Sequence, residues 1–434
     1  MRKRATYRLV VPLLLCLLFV SCEWCHKPDP TPKKLRRTVL VYIAAENSLA
    51  YGNFPDLDQK EMESAIGDVP SDCRLVVFID DTDLPHIYTW EKDKSGTMVK
   101  TELYSFPEDC NSASSSVLHD VVYYVEDKYP SDSYGLVLWS HGRAWLPAAA
   151  SAPSKREGFA VLEVDTASLP PLDADPLRRS FGVDNGENSY SNKGSRMDIS
   201  DMASALAGFP KFDFIFFDAC FMQAVEVAWD LRNVTHWLIG SPAEIPGPGA
   251  PYEKLISPMF SSEGYAESIV DAYYRGYADE CVPLTSTSSD CFGVVLSAID
   301  CSKMETLRQA TSNIIVKYMS SSINDNVNGV QHYFPYTATD IPYYFDMLDY
   351  MRNVVPAGSD LQSWERAFSE AVPVIKATDS WYSAYSYSLC PVDLENCGAV
   401  SCYVPLNGKV FSQLNEWFRR TDWYKAASWS EVGW

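Results

Sequence analysis

Residues 213–223 read DFIFFDACFMQ. An apolar run closed by an aspartate, with a cysteine just beyond it, has the pattern of a strand covered on both faces, as in a parallel sheet. The chain repeats the pattern: RTVLVYIAA (37–45), RLVVFIDD (74–81) and YGLVLWSHG (134–142) precede it, and HWLIGS (236–241) follows. Amphipathic stretches lie between these runs. Over 55–69, Leu57, Met62 and Ile66 recur at near-helical spacing; over 112–128, Val117, Leu118, Val121, Val122 and Val125 share one face behind the caps Asn111 and Ser112. Further helices are expected over 197–206, from near Cys220, over 263–279 and over 302–318, with a hairpin through 86–90 and 99–104 and a strand in FGVVLSAID (292–300). Strand and helix in alternation predict an α/β fold, a mainly parallel sheet with helices on both faces. Active groups in such sheets gather at the carboxyl ends of the strands.

The N-terminus, MRKRATYRLVVPLLLCLLFVSC, has the basic start and short apolar stretch of an export signal. Its end resembles a bacterial lipoprotein cleavage box, which makes Cys22 the lipidated first residue; a plain secretory signal is the alternative. The expected organisation is a signal peptide over 1–21, a Pro-rich tether over 22–36, a catalytic core over 37–259 and a C-terminal α/β extension over 260–434 packed on that core. A turn-rich insertion at 147–193 is expected to be exposed and mobile. The resulting location is the bacterial cell envelope, facing the periplasm or the cell surface. With a net charge of −21 and no basic cluster longer than KKLRR (33–37), nucleic acid is not an expected partner. The cysteines outside the Cys22/Cys25 pair show no zinc spacing, so no metal ligand set is expected; a disulfide among Cys390, Cys397 and Cys402 and buried free thiols are both open.

Two of the strands end in reactive side chains, His141 and Cys220. If they are neighbours in a parallel sheet, both groups reach one rim, where a histidine can take the proton of a thiol that attacks a carbonyl. A cysteine at a helix N-terminus would also gain from the helix dipole. Gly142, having no Cβ, allows close backbone approach, so its amide and that of Cys220 are candidates for an oxyanion hole. Of the six histidines, only His141 has this strand-end setting with a glycine after it. Taken singly, a cysteine in an apolar run is more often a small buried hydrophobe.

The ordered set LWSHG (138–142), FDACFM (217–222) and VEVA (225–228) resembles the two catalytic blocks of the clostripain-like cysteine peptidases, which belong with caspases, legumains and gingipains. The likeness extends to RTVLVYIAAENSL (37–49), FGVDNGE (181–187), MDISDMASAL (197–206) and GSPAEIPGPGAPYE (240–253). It implies a caspase-like fold, a His141/Cys220 dyad and peptide-bond hydrolysis through a thioester, with no cofactor; calcium dependence is left open. It also implies that Asp218 helps bind an Arg or Lys side chain on the amino side of the cleaved bond, and that the chain cuts itself in the insertion, at Lys155 or Arg156. One departure stands out. Where many relatives have Gly-Asp-Gly, this chain has Gly247-Pro248-Gly249, and Glu244 is the expected substitute for the missing acid. The competing readings are an inactive relative that binds peptides as a surface lipoprotein, and an unrelated hydrolase, for which the GxSxG and HExxH signatures are absent from the sequence.

Overall fold

The computed structural model describes residues 34–147, 179–186, 194–319, 327–334, 344–407 and 409–434. Cys22, Lys155, Arg156, the signal segment and most of the 147–193 insertion lie outside these residues; of the insertion, Pro147 and 179–186 are described, and Ser180, Phe181, Val183 and Asp184 there are buried, against the exposure expected of that segment. The chain enters at β1 (Leu35–Ala44), then β2 (Cys73–Asp80) and the hairpin β3 (His86–Lys92) and β4 (Met98–Ser105). The next strand, β5 (Ser131–Trp139), is followed by a separate three-stranded sheet of β6 (Gly142–Pro147), β7 (Arg179–Asp184) and β8 (Ser195–Asp198). Then come β9 (Phe212–Asp218), β10 (Thr235–Gly240), β11 (Val295–Asp300), β12 (Phe345–Asp346), β13 (Val374–Ala377), the hairpin β14 (Ser380–Ser383) and β15 (Ser388–Pro391), and β16 (Ser401–Cys402), which pairs with β12.

The central sheet runs in the order β13-β11-β10-β9-β5-β1-β2-β3-β4. Its middle five strands are parallel; the outer pairs are antiparallel. The sheet is therefore mixed α/β with a parallel centre, and β11 and β13 show that the region beyond residue 260 contributes strands to the same sheet.

Period-two alternation splits the strands between two cores. Val39, Val41 and Ile43 join a layer with Met62, Leu255 and Ile269, while Leu40, Tyr42 and Ala44 join one with Leu118, Met202 and Val225. The first layer is covered by α2 (Phe54–Ser64), α6 (Tyr252–Met259) and α7 (Tyr265–Ala278). The second is covered by α3 (Ser115–Lys128), α4 (Ile199–Leu206), α5 (Val225–Leu231) and α8 (Met304–Tyr318). The short α1 (Ser48–Tyr51) opens at the end of β1. At the opposite rim, Arg37 bonds Asp213 at 2.6 Å and the carbonyls of Met259 and Ser261, pinning β1, β9 and the end of α6 together.

Several local expectations shift. Ser114, rather than Ser112, caps α3, because its hydroxyl accepts from the Ser116 amide while Asn111 accepts from Ala113. In α2, Leu57 faces solvent and Asp58 turns inward with Pro55 and Met62. The helix expected near Cys220 starts only at Val225. Cys390, Cys397 and Cys402 are unpaired, and the disulfide joins Cys281 to Cys291. Among the described residues no helix is long and apolar enough to cross a membrane.

Candidate active site

The parallel pairing of β5 with β9 places Trp139 opposite Asp218. His141 and Cys220 each lie two residues further on, so the register brings both to the same carboxyl rim. The Ser140 amide reaches the Asp218 carbonyl at 3.4 Å, and the Ser140 hydroxyl donates to the Ala44 carbonyl at 2.7 Å, tying the approach to His141 to β9 on one side and β1 on the other. The Gly182 amide fixes the His141 carbonyl at 2.9 Å. The His141 ring lies 3.0 Å through Nε2 from the Ser48 hydroxyl, which opens α1.

Gly142 is required by contact. A Cβ there would come within 2.4 Å of the Cys220 carbonyl oxygen and 2.7 Å of the Met222 side chain. The backbones at Gly142 and Cys220 therefore approach each other more closely than any other residue at 142 would permit.

Cys220 sits in the turn that leaves β9, with Phe221 in the left-handed region (φ 66°), so no helix can begin at the thiol. The expected help from a helix dipole is missing for that reason. Although the residue keeps some exposure, desolvation pushes its thiol up to about 12, with the Glu244 charge adding to the shift; the Ile245 amide, 3.4 Å from Sγ, opposes it. At rest Cys220 is a thiol, so acting as a nucleophile would require a base.

Beside the dyad lies a group of acids. The Asp218 carboxylate is buried, accepting from the Ala250 amide at 3.3 Å and the Tyr252 hydroxyl at 3.0 Å through Oδ2, while Oδ1 has no partner. It caps no helix. Burial pushes it up to about 7, against the lowering effect of those two donors. Asp58 is equally buried; its Oδ2 accepts from the Trp139 indole at 2.6 Å and its Oδ1 also has no partner. Burial and then the Asp218 charge hold the Asp58 carboxyl well above the usual range. Gly249, with φ 74°, passes so close that a Cβ on it would lie 3.3 Å from Asp218 and 3.6 Å from Asp58. Glu61, whose carboxylate accepts from the Tyr252 amide at 2.9 Å, stands nearby and is pushed up to about 8, first by burial and then by Glu253.

Glu244 does not join this group. Its two oxygens hold the β14–β15 hairpin, accepting from the Ser383 hydroxyl at 2.7 Å and the Ala384 amide at 2.8 Å, so the expectation that it replaces the acid absent at Pro248 is corrected. Burial pushes its carboxyl up to about 7. The second carboxylate beside Asp218 is Asp58, from a different element. Two site residues, Asp58 and Ser48, were thus missed by sequence reasoning. Asp58 shares a helical face with Pro55 and Met62, a spacing that would have marked it as an acid aimed at the core; Ser48 lies just past the end of β1, at the rim the fold rule singles out.

The model of the Clostripain family matches residues 41–166 and 172–434. A curated relative, clostripain of Hathewaya histolytica, is 21% identical over 357 residues, covering 72% of this chain but 62% of its own length. Among solved structures, a secreted C11 cysteine protease from Bacteroides thetaiotaomicron, in complex with an irreversible peptide inhibitor, is 32% identical with a TM-score of 0.74, covering 92% of this chain and all of its own. An inactive zymogen C11 protease from Parabacteroides distasonis is 26% identical with a TM-score of 0.72, covering 91% of this chain and 99% of its own.

Proposed function

The chain belongs to the clostripain family of cysteine peptidases, and on that premise we propose that it is an exported endopeptidase that cuts after Arg or Lys through Cys220 and His141. The observation that carries the reading is the β5/β9 register, which puts the thiol and the imidazole at one rim. His141 removes the Sγ proton as the substrate carbonyl arrives, Sγ attacks, and backbone amides at the rim take the negative charge of the tetrahedral oxygen. Candidates for those donors are the amides of Gly142 and Cys220. His141 then gives the proton to the leaving amine, and water, activated by the same imidazole, hydrolyses the thioester. With the thiol at about 12, very little thiolate exists before this transfer, so the base is indispensable.

Asp218 and Asp58 support the basic preference. Each presents one unpartnered buried oxygen, and an Arg or Lys side chain entering between them would satisfy both with charge-assisted hydrogen bonds. The signal segment and Cys22 support a lipid anchor in the cell envelope, and the basic residues Lys155 and Arg156 support self-cleavage in the insertion. Purified wild type, Cys220→Ala and His141→Ala are to be compared on peptides with Arg, Lys or an uncharged residue before the cut. Near-complete loss in both variants with unchanged thermal unfolding is expected; substantial turnover by Cys220→Ala refutes the dyad. N-terminal sequencing of the same preparations reads self-cleavage, which must vanish in Cys220→Ala, and membrane fractionation of Cys22→Ala reads the anchor.

A further inference from the structure

Two residues other than glycine take left-handed backbone angles in the two segments that carry the reactive groups. Phe221, directly after Cys220, has φ 66°, and Ala144, shortly after His141, has φ 49°. Such angles are costly for a residue with a Cβ and persist only where the surroundings hold them. One side chain touches both turns. The Tyr344 ring stacks on the Phe221 ring, with centroids 4.7 Å apart and planes 11° from parallel. Its hydroxyl donates at 2.9 Å to the Arg143 carbonyl, which belongs to the peptide that leads into Ala144. Tyr344 is buried, so this bond is made out of water, where it is stronger. On the cysteine side the Phe221 amide adds a bond to the Ala243 carbonyl at 2.9 Å.

Tyr344 comes from neither segment. It lies just before β12, and its backbone is fixed there: its carbonyl accepts from the Tyr333 amide at 2.8 Å, Phe345 pairs with Cys402, and the buried Asp346 carboxylate accepts from the Tyr333 hydroxyl at 2.6 Å and the Gly398 amide at 2.8 Å. A side chain mounted on so constrained a backbone has little freedom to follow either turn. The same region makes a second tie to the cysteine segment, where the Ser401 amide donates to the Gln223 carbonyl at 2.9 Å.

We propose that Tyr344 is a positioning residue of the peptidase, which sets the spacing of thiol and imidazole by holding the turn after Cys220 and the turn after His141 at once. This role rests on the Cys220/His141 reading and deepens it, since it gives the region beyond residue 260 a part in the reaction. Tyr344 touches no reacting atom. Proton transfer from Sγ to the imidazole needs the two groups within hydrogen-bond reach, and a misplacement of about 1 Å costs on the order of 10²-fold in rate. With Tyr344 withdrawn, each turn could relax toward ordinary angles and carry its reactive group with it. Gly142 lies between His141 and the held peptide, so the same contact steadies a candidate donor to the tetrahedral oxygen.

Three variants test the role. Tyr344→Phe keeps the stack and loses the hydroxyl bond, whereas Phe221→Leu keeps the hydroxyl bond and loses the stack. Steady-state kinetics on one Arg peptide should show kcat lowered about tenfold or more in each, with KM within about twofold of wild type, because substrate contacts are untouched. The pH midpoint for alkylation of Cys220 by iodoacetamide, read by mass spectrometry without substrate, should rise in both, since a displaced imidazole takes the thiol proton less readily. Tyr333→Phe is the control: it removes an equally buried hydroxyl from the same region, one that bonds Asp346 in place of either turn, and should leave kcat and the midpoint as in wild type. If Tyr344→Phe does not fold, Phe221→Leu, whose change is confined to one turn, carries the comparison. Losses in kcat no larger than in Tyr333→Phe, or an alkylation midpoint that stays in place, would make Tyr344 a packing residue and overturn the proposal. Turnover that survives in Cys220→Ala removes the dyad itself, whereas turnover lost there but kept in Tyr344→Phe and Phe221→Leu removes only the positioning role.

Discussion

Replacing Asp218 by Asn keeps the side-chain shape and the contacts with the Ala250 amide and Tyr252 hydroxyl within reach, but removes the charge. In the proposed pocket that charge meets a substrate guanidinium or ammonium out of water. Truncating one member of a buried, hydrogen-bonded charge pair costs about 2–5 kcal/mol. At 1.36 kcal/mol per tenfold, kcat/KM for Arg substrates should fall roughly 30-fold to a few thousandfold. Asp58→Asn should cost less, about tenfold, because Asp58 already shares its other oxygen with the Trp139 indole, which can be kept by an amide oxygen. Both variants should leave an uncharged substrate within about threefold of wild type, since only the discriminating interaction is lost. The assay is steady-state kinetics on peptides identical except for Arg, Lys or norleucine before the cut. Equal losses on charged and uncharged substrates would make Asp218 a structural carboxylate, and no loss on either would remove it from the pocket. The pH dependence supplies an internal check. With Asp218 pushed up to about 7, the empty pocket gains a proton as pH falls through neutrality, so hydrolysis after Arg should decline there more steeply than hydrolysis after norleucine, and Asp218→Asn should abolish the difference.

The same carboxyl predicts a stability change of opposite sense. A folded value raised above the unfolded one means that Asp218 contributes fully to stability only below about 4, the unfolded carboxyl range, and that this contribution is lost as pH rises through about 7; thermal unfolding should show Asp218→Asn gaining more over wild type at pH 8 than at pH 5. Gly142→Ala should lower stability by about 1–3 kcal/mol, an overpacking cost, because its methyl would press on the Cys220 carbonyl, and activity should fall further than unfolding accounts for. Ser48→Ala removes a partner of His141 Nε2 and should lower kcat about tenfold with KM unchanged and the pH profile displaced; an unaltered profile would exclude a positioning role. Glu244→Gln should move thiol alkylation of Cys220 to lower pH by removing a charge that raises the thiol, while KM for Arg substrates stays constant.

The shared rim of His141 and Cys220 is legible in the sequence because both residues follow apolar runs, and the parallel pairing of those runs leaves one rim for them. What failed was local. The sequence places a helix start near Cys220, yet Phe221 adopts a left-handed conformation and Ala224 bridges to Ser401, a partner 177 positions away that no window on residue 220 contains. In α2, hydrophobicity points to Leu57 for the core, but the structure leaves Leu57 43% exposed and buries its neighbour Asp58 instead. A one-residue step turns a helix by about 100°, so a face drawn through Leu57 leaves Asp58 off it.

That single residue also changes how Pro248 is understood. Along the chain, proline in place of an acid between Gly247 and Gly249 suggests a weakened pocket, and Glu244 is the acid nearest to it in sequence. In three dimensions a carboxylate need not come from the same loop. Gly249 turns through φ 74° over Asp218 and Asp58 together, Tyr277 holds its carbonyl at 2.6 Å, and Pro248 stiffens the preceding residue, so in the proposed pocket the loop would act as a roof while α2 would supply the charge. An acid on a helix packed against the sheet is held more rigidly than one at a loop tip, which favours a pocket formed before the substrate arrives. The cost is two buried carboxyls, both raised in pKa, whose like charges a basic side chain in the proposed pocket would relieve. Loss of the loop acid is therefore compatible with an undiminished preference for Arg and Lys, and the Asp58→Asn comparison distinguishes that arrangement from a pocket that has lost its selectivity.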